Sequence, residues 1–203
     1  MDEYSGPGLY QDLQQKTGTP PYMAHGLLLG WDALHLYRHD LESLFYIILI
    51  LATHYEIQPP EEGKKGGIRT RDGDPPYRKW FNEPIYENLG SFKAYFFANL
   101  RHPNLSPAFE VFRDWLSDIR LSFRRGLRSK GIYEDELMVL RWHRDGGSEG
   151  EVTPEFDDET LGGHVHYSAL IDPVRKLGGE LKGLIIHYDP SLSASTGLAK
   201  ADG

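Results

Sequence analysis

Cysteine is absent from this 203-residue sequence, so disulfides, thiolate metal sites and a cysteine nucleophile are all excluded. Long apolar runs are missing too. The longest, Leu44–Ala52 (LFYIILILA), has nine residues, and at about 1.5 Å rise per residue it falls far short of a hydrocarbon core of about 30 Å. Met1–Tyr10 carries Asp2 and Glu3 and no apolar stretch, unlike a secretory signal. The expectation is a soluble, intracellular protein with no membrane partner. A surplus of basic residues is lacking as well: the formal net charge is −8 and the isoelectric point about 5.6. A phosphate-tracking surface needs clustered Lys and Arg, so nucleic acid is not expected as a partner. The one small basic group, Arg120, Arg124, Arg125 and Arg128, reads as the solvated face of an amphipathic helix.

What the sequence does contain suits a packed domain. Aromatics make up 12% of the residues and apolar residues 39%, enough for one core in a chain of this length. Thr17–Met23 (TGTPPYM) reads as a loop, because Gly18, Pro20 and Pro21 each oppose helix. Asp40–Tyr55 reads as a single helix, so densely apolar that protein should surround it on nearly all sides. Asp40 suits the positive end of that helix's dipole. Residues 56–78, with Pro59-Pro60, Gly66-Gly67, Gly73 and Pro75-Pro76, read as a long surface loop.

A further helix is expected over Glu87–Leu100, with Leu89, Phe92, Tyr95 and Phe96 at helical spacing and Pro103 beyond its end. The next should be capped by Ser106, with Pro107 at its first position. Its apolar face would be Phe109, Phe112, Trp115, Leu116, Ile119, Phe123 and Leu127, and Gly131 would close it. Residues 144–163 are rich in Gly, Glu and Asp and read as flexible, while Leu161–Ile171 can dock back on the domain. No internal repeat and no alternation of strands with helices is evident, so the fold class is mainly α.

Two segments carry a family resemblance. Lys16–Leu28 (KTGTPPYMAHGLL) resembles the end of a protein kinase activation segment, and Tyr37–Phe45 (YRHDLESLF) resembles the start of the long buried helix of a kinase C-terminal lobe. Together they resemble the fungal-type protein kinase family. Trp80, Lys93, the 107–127 helix and DDETLGGHVHY agree with it, so the likeness spans roughly residues 14–170. The resemblance implies a helical C-lobe of a protein kinase-like fold over residues 14–190, with the N-lobe absent. A loose leader would precede it at 1–13, flexible loops would lie at about 56–78 and 144–160, and 191–203 would be a disordered tail.

By the same resemblance, Thr19 would hydrogen-bond a catalytic Asp and a nearby Lys, and Tyr22 would line the pocket beside the substrate. Asp40 would be the buried acid that accepts backbone N–H bonds from the catalytic loop and anchors it. The reading from the residues alone is that Asp40 is a simple helix cap. One departure concerns the acid that kinases usually place two residues after the conserved Ala, where it pairs with a distant Arg. Counted from Ala24, that position is Gly26, so the ion pair is either absent or supplied differently.

The parts that transfer phosphate are not found. Ahead of the loop no Gly-rich strand-turn-strand, no V-A-I-K-like stretch and no Asp-Phe-Gly occurs, and Asp12 in QDL is a weak candidate for anything. His143-Arg144-Asp145 spells the kinase catalytic triplet but follows the buried helix by about 90 residues, whereas in that family it precedes the activation segment. Gly150 stands where the partner Asn should be. The triplet reads as coincidence. No catalytic residue and no metal ligand is therefore assigned, and no cofactor is expected for this chain. ATP and Mg²⁺ would belong to the complete family member, which phosphorylates protein hydroxyls.

Three readings follow. The first is a kinase C-lobe without its ATP site, inactive as it stands. The second is a non-catalytic helical interaction module of the same ancestry. The third is a metal-dependent hydrolase using the His164-x-His166 pair, which on a strand would put both rings on one face but lacks a third ligand of persuasive spacing. His25, His35, His39 and His54, flanking the apolar helix, read as satisfied polar groups. The protein substrate or partner is unknown, and the lobe surface left bare should favour self-association.

Overall fold

The computed structural model describes residues 18–32, 34–58, 66–99, 101–144 and 155–177. The leader 1–13 and the tail 191–203 lie outside these residues. Most of what is described is helical. A 3₁₀ turn over Pro20–Tyr22 leads into the short helix α1 (His25–Leu28), and the long helix α2 (Tyr37–His54) follows. α2 runs straight into a hairpin of β1 (Tyr55–Gln58) and β2 (Gly67–Thr70). Then come α3 (Arg78–Asn82), α4 (Tyr86–Ala98), a 3₁₀ stretch (Pro107–Phe112), α5 (Arg113–Arg144) and α6 (Tyr167–Leu177).

α2 is the spine of the core. Leu41, Phe45, Leu49 and Ala52 are buried on one side and Tyr46 and Ile50 beside them. Phe45 meets the rings of Phe96, Phe97 and Phe123 at centroid distances of 5.8–6.3 Å, so α4 and α5 close over α2 through aromatic contacts. The burial is nevertheless not all-round. Asp40, Leu44, Ile47 and Leu51, stepping by four, three and four, share one face, on which Asp40 is exposed, Leu44 half-buried, and Ile47 and Leu51 are 40% and 43% exposed. The density of apolar residues signals contact on every side, but among the described residues nothing covers this stripe.

The carbonyls at the end of α2 are satisfied from distant segments, as helix termini require. Arg71 N–H donates to His54 O (2.7 Å) and Ser106 N–H to Ala52 O (2.9 Å). Tyr55 turns the chain extended, and the antiparallel hairpin pairs Tyr55 with Thr70 and Ile57 with Ile68. Two parts of the stretch read as loop, 56–58 and 67–70, are thus strands, tied by an Arg69–Glu56 ion pair of 2.9 Å. Only four residues long each, they are masked in the sequence by the surrounding prolines and glycines.

α4 buries Leu89, Lys93, Phe96 and Phe97, leaving Phe92 and Tyr95 outward. Arg120 donates to Phe96 O in the last turn of α4 and to Arg101 O just beyond the end of that helix, and lies over the Phe96 ring at 4.3 Å. Arg120 is therefore buried, not part of a solvated face as its sequence neighbours suggest. It reaches inward to carbonyls that would otherwise be orphaned.

Ser106 makes no side-chain cap, and Pro107 opens a 3₁₀ stretch before α5 begins at Arg113. Trp115, Leu116, Ile119 and Phe123 are buried as their spacing predicts. Gly131 does not end the helix, which continues to Arg144; a glycine costs a helix interior only about 1 kcal/mol relative to alanine. Within the glycine-rich stretch, residues 145–154 fall outside the described part, but 155–166 form a defined turn. Leu161 and Val165 are buried in that turn, and Gly126 of α5 admits it closely: a Cβ on Gly126 would stand 2.6 Å from that of Leu161. α6 then docks through Leu170, whose carbonyl accepts the Trp115 indole N–H at 2.6 Å.

Candidate functional site

The segment Gly18–Asp32 crosses the start of α2 and is held there by three charged side chains. Pro20 and Pro21 restrict the backbone to a 3₁₀ turn, closed by Tyr22 N–H to Thr19 O (2.8 Å) and Met23 N–H to Pro20 O (3.2 Å). From α4, the Lys93 ammonium donates to Pro20 O and Met23 O (3.2 and 2.5 Å). It lies 4.2 Å from the Tyr46 ring centroid and 5.4 Å from that of Trp80. Lys93 is fully buried, and burial pulls its pKa down from the ordinary lysine range to about 7 despite the attraction of Glu42.

Glu42 makes the second clasp. One carboxylate oxygen accepts from the His25 backbone N–H (2.7 Å) and from the Tyr46 hydroxyl (2.6 Å), and lies 2.9 Å from His25 Nδ1. Burial by itself would raise the Glu42 pKa. Attraction to the His25 ring and these hydrogen bonds outweigh it and hold the carboxyl below its usual range. The Tyr46 hydroxyl is pushed the other way, first by burial and then by the Glu42 charge.

The third clasp is Asp32. Its Oδ1 lies 2.6 Å from Arg38 Nη2 and 3.2 Å from Lys130 Nζ, and its Oδ2 lies 3.0 Å from His39 Nε2. His39 Nδ1 accepts the Leu36 N–H at 2.9 Å, so its proton resides on Nε2 and points at Asp32. Burial opposes ionisation here too, yet the hydrogen bonds from His39 and Arg38 and the nearby cations drive the Asp32 pKa far down. A Cβ on Gly26 would sit 2.0 Å from Asp32 Oδ2. The carboxylate thus occupies the space a side chain at 26 would take, and it is itself paired with Arg38 and Lys130.

The three residues singled out in the sequence lie along this segment. Thr19 is exposed, and Tyr22 is half-buried, edge-on to Phe81 at 6.0 Å. Asp40 is exposed, with a side chain 71% accessible and one carboxylate oxygen 3.5 Å from His35 Nε2. Two residues along a helix differ by about 200°, so Asp40 and Glu42 face opposite sides of α2, and Glu42 is the one turned inward. Asp32 and Glu42 were not singled out in the sequence. The available signal was the spacing of Arg38, Glu42 and Tyr46, which puts three polar groups in line on an apolar helix.

Of the histidines, His25, His35 and His39 have acidic partners. His54 Nε2 is buried and finds no hydrogen-bond partner among the described residues; its ring stacks on Tyr77 and burial lowers its pKa. His164 and His166 are both exposed and lie in a turn and its exit, not on a strand. Among the described residues no three His, Asp or Glu side chains converge as a metal-holding group, and no helix is long and apolar enough to cross a membrane. His143 and Arg144 form the last turn of α5, and Asp145 lies outside the described residues.

The fold and this site define a mainly helical domain that braces a proline-rich turn against a buried helix. Residues 4–52 match the family model described as fungal protein kinase, and the chain is related to that family through this stretch, which contains both the turn and nearly all of α2. No curated protein and no solved structure matches the chain.

Proposed function

We propose that this chain is a kinase-type C-terminal lobe: it presents the end of an activation segment and the anchoring helix for a catalytic loop, and performs no phosphoryl transfer by itself. The observation that carries this reading is the uncovered stripe of α2. A helix whose other faces are buried leaves Asp40 in line with Leu44, Ile47 and Leu51, a carboxylate at the head of an apolar strip. That combination suits a backbone loop whose N–H groups bind the acid while its apolar side chains cover the strip. Thr19 and Tyr22, at the edge of the braced turn, are accessible for positioning a substrate hydroxyl.

The described residues do not fit Mg²⁺–ATP. Asp32 and Glu42 are buried and already bound by Arg38, Lys130, His39 and His25, while among the described residues Asp40 has His35 beside it at 3.5 Å. ATP and Mg²⁺ therefore belong to the complete family member in this reading, and no step is assigned to them here. The related reading, a non-catalytic interaction module, draws on the same stripe and predicts the same binding without turnover.

The test is binding of a polypeptide carrying the catalytic loop of a fungal-type protein kinase, followed by calorimetry. Saturable binding is expected, weakened at least tenfold by Asp40→Asn and abolished by Ile47→Asp. Absence of binding, or binding indifferent to both substitutions, would contradict the proposal.

A further inference from the structure

A cavity of about 730 Å³ opens on the side of the site away from the Asp40 stripe, between α1, the start of α2, α4 and α5. Its size falls in the range of small-molecule sites. Phe97, Leu127 and Leu161 give it an apolar floor, and Trp31, 65% exposed and edge-on to His25 at 5.9 Å, stands at its mouth.

The charges around it are unevenly engaged. Asp32 and Glu42 border the cavity, but both are already bound by cations or hydrogen-bond donors. Arg124 and Arg128 also line it, one turn apart on α5 and therefore on the same face. Among the described residues neither guanidinium has a hydrogen-bond or ion-pair partner. Glu134 is the remaining carboxylate at the rim. In a chain of net charge −8, two free guanidinium groups beside an apolar floor select for an anion.

Gly131 supplies an independent observation. It lines the cavity, and a Cβ placed there would meet no atom within 4 Å. Glycine is unfavourable in a helix interior, and here no close packing requires it. Its effect is to keep the space open.

From these features we infer that the cavity binds a small aromatic acid, its ring on the Phe97–Leu127–Leu161 floor and its anionic group between Arg124 and Arg128. Arg rather than Lys at both positions suits a planar carboxylate or a phosphate, which a guanidinium binds through two N–H groups. This inference is independent of the catalytic-loop platform, because the cavity and the Asp40 stripe involve opposite sides of α2.

Two dyes sharing an apolar body test it on the full chain: 1-anilinonaphthalene-8-sulfonate, which is anionic, and N-phenyl-1-naphthylamine, which is uncharged. Fluorescence titration should show saturable binding of one equivalent of the sulfonate. Arg124→Gln with Arg128→Gln should weaken the sulfonate at least tenfold and the neutral dye less than twofold. Gly131→Leu should weaken both at least tenfold while the melting temperature is kept or raised, as should also hold for Gly131→Ala, because each is a better helix former than glycine. Sulfonate binding that survives the double arginine substitution, or dye binding indifferent to Gly131→Leu, would overturn the inference. A loss of both dyes together in the arginine variant would overturn the assignment of the charge.

Discussion

Glu42 Oε1 lies 2.9 Å from His25 Nδ1 and 2.7 Å from the backbone nitrogen of the same residue. One buried carboxylate oxygen thereby fixes both the ring and the chain direction at the point where the braced turn enters α1. Removing the charge leaves these donors facing a neutral group. Glu42→Gln should cost about 3 kcal/mol, in line with losing one partner of a buried charged pair. Asp40→Asn, an exposed change two residues earlier, should stay within about 0.5 kcal/mol. Urea unfolding of both variants checks this, and equal costs would contradict the assignment of Glu42 as the inward acid.

Acid should act through the same group. The folded-state pKa of Glu42 lies below its unfolded value, so its stabilisation is fully present above the ordinary carboxylate range and is lost as pH falls through the depressed folded value. Asp32, also depressed, adds in the same direction. Unfolding free energy should therefore decline below about pH 4.5, and the decline should be shallower in Glu42→Gln.

Lys93 predicts a slope of the same sign on the alkaline side. Its folded pKa is lowered to about 7. Between that value and the ordinary lysine range the unfolded chain holds a proton that the folded chain has released. Stability should accordingly rise with pH from about 7 toward 10. Above pH 10 the raised pKa values of Tyr46 and Tyr77 favour their neutral folded forms and reverse the trend. Lys93→Met should flatten the rise between pH 7 and 10; an unchanged rise in that variant would assign it to other groups.

How much of this was legible in the sequence depended on which physical signal each feature left. Helices α2, α4 and α5 followed from apolar spacing, and their observed bounds, Tyr37–His54, Tyr86–Ala98 and Arg113–Arg144, lie close to those expected except at the two ends of α5, which starts six residues later and ends well beyond Gly131. Gly131 failed as a stop because a propensity penalty of about 1 kcal/mol is small beside the packing and ion pairs of its neighbours; Lys130 alone binds Asp32 and Asp158. Arg120 looked like its solvated neighbours, since nothing local reveals that the end of α4 needs a donor. The acids of the site were harder still. Asp32 lies in a turn with no periodicity, and only the fold brings its carboxylate against Gly26.

That last contact predicts a coupling. Gly26→Ala would force its new methyl group into the Asp32 carboxylate and should cost roughly 2 kcal/mol through overpacking. Asp32→Ala should cost more, because buried Arg38 loses its close acid and keeps only Asp158 at 4.0 Å among the described residues. The double variant relieves the clash, so its loss should be at least 1 kcal/mol smaller than the two single losses combined. Simple additivity would mean that Asp32 does not occupy the space beside residue 26.

The docking of α6 rests on a hydrogen bond that can be deleted alone. Trp115→Phe removes the indole N–H that Leu170 O accepts and should lower stability by about 1 kcal/mol. Limited proteolysis within residues 155–177 should accelerate several-fold in the variant, while cleavage elsewhere is unchanged.

The most direct measurement is phosphotransfer from radiolabelled ATP, with Mg²⁺ and casein, by the purified 203-residue chain. The expected result is no transfer above the blank in either the unaltered chain or Asp145→Ala. Mg²⁺-dependent transfer that Asp145→Ala abolishes would make the His143-Arg144-Asp145 triplet a working catalytic loop and would contradict the reading of this lobe as a platform without chemistry of its own.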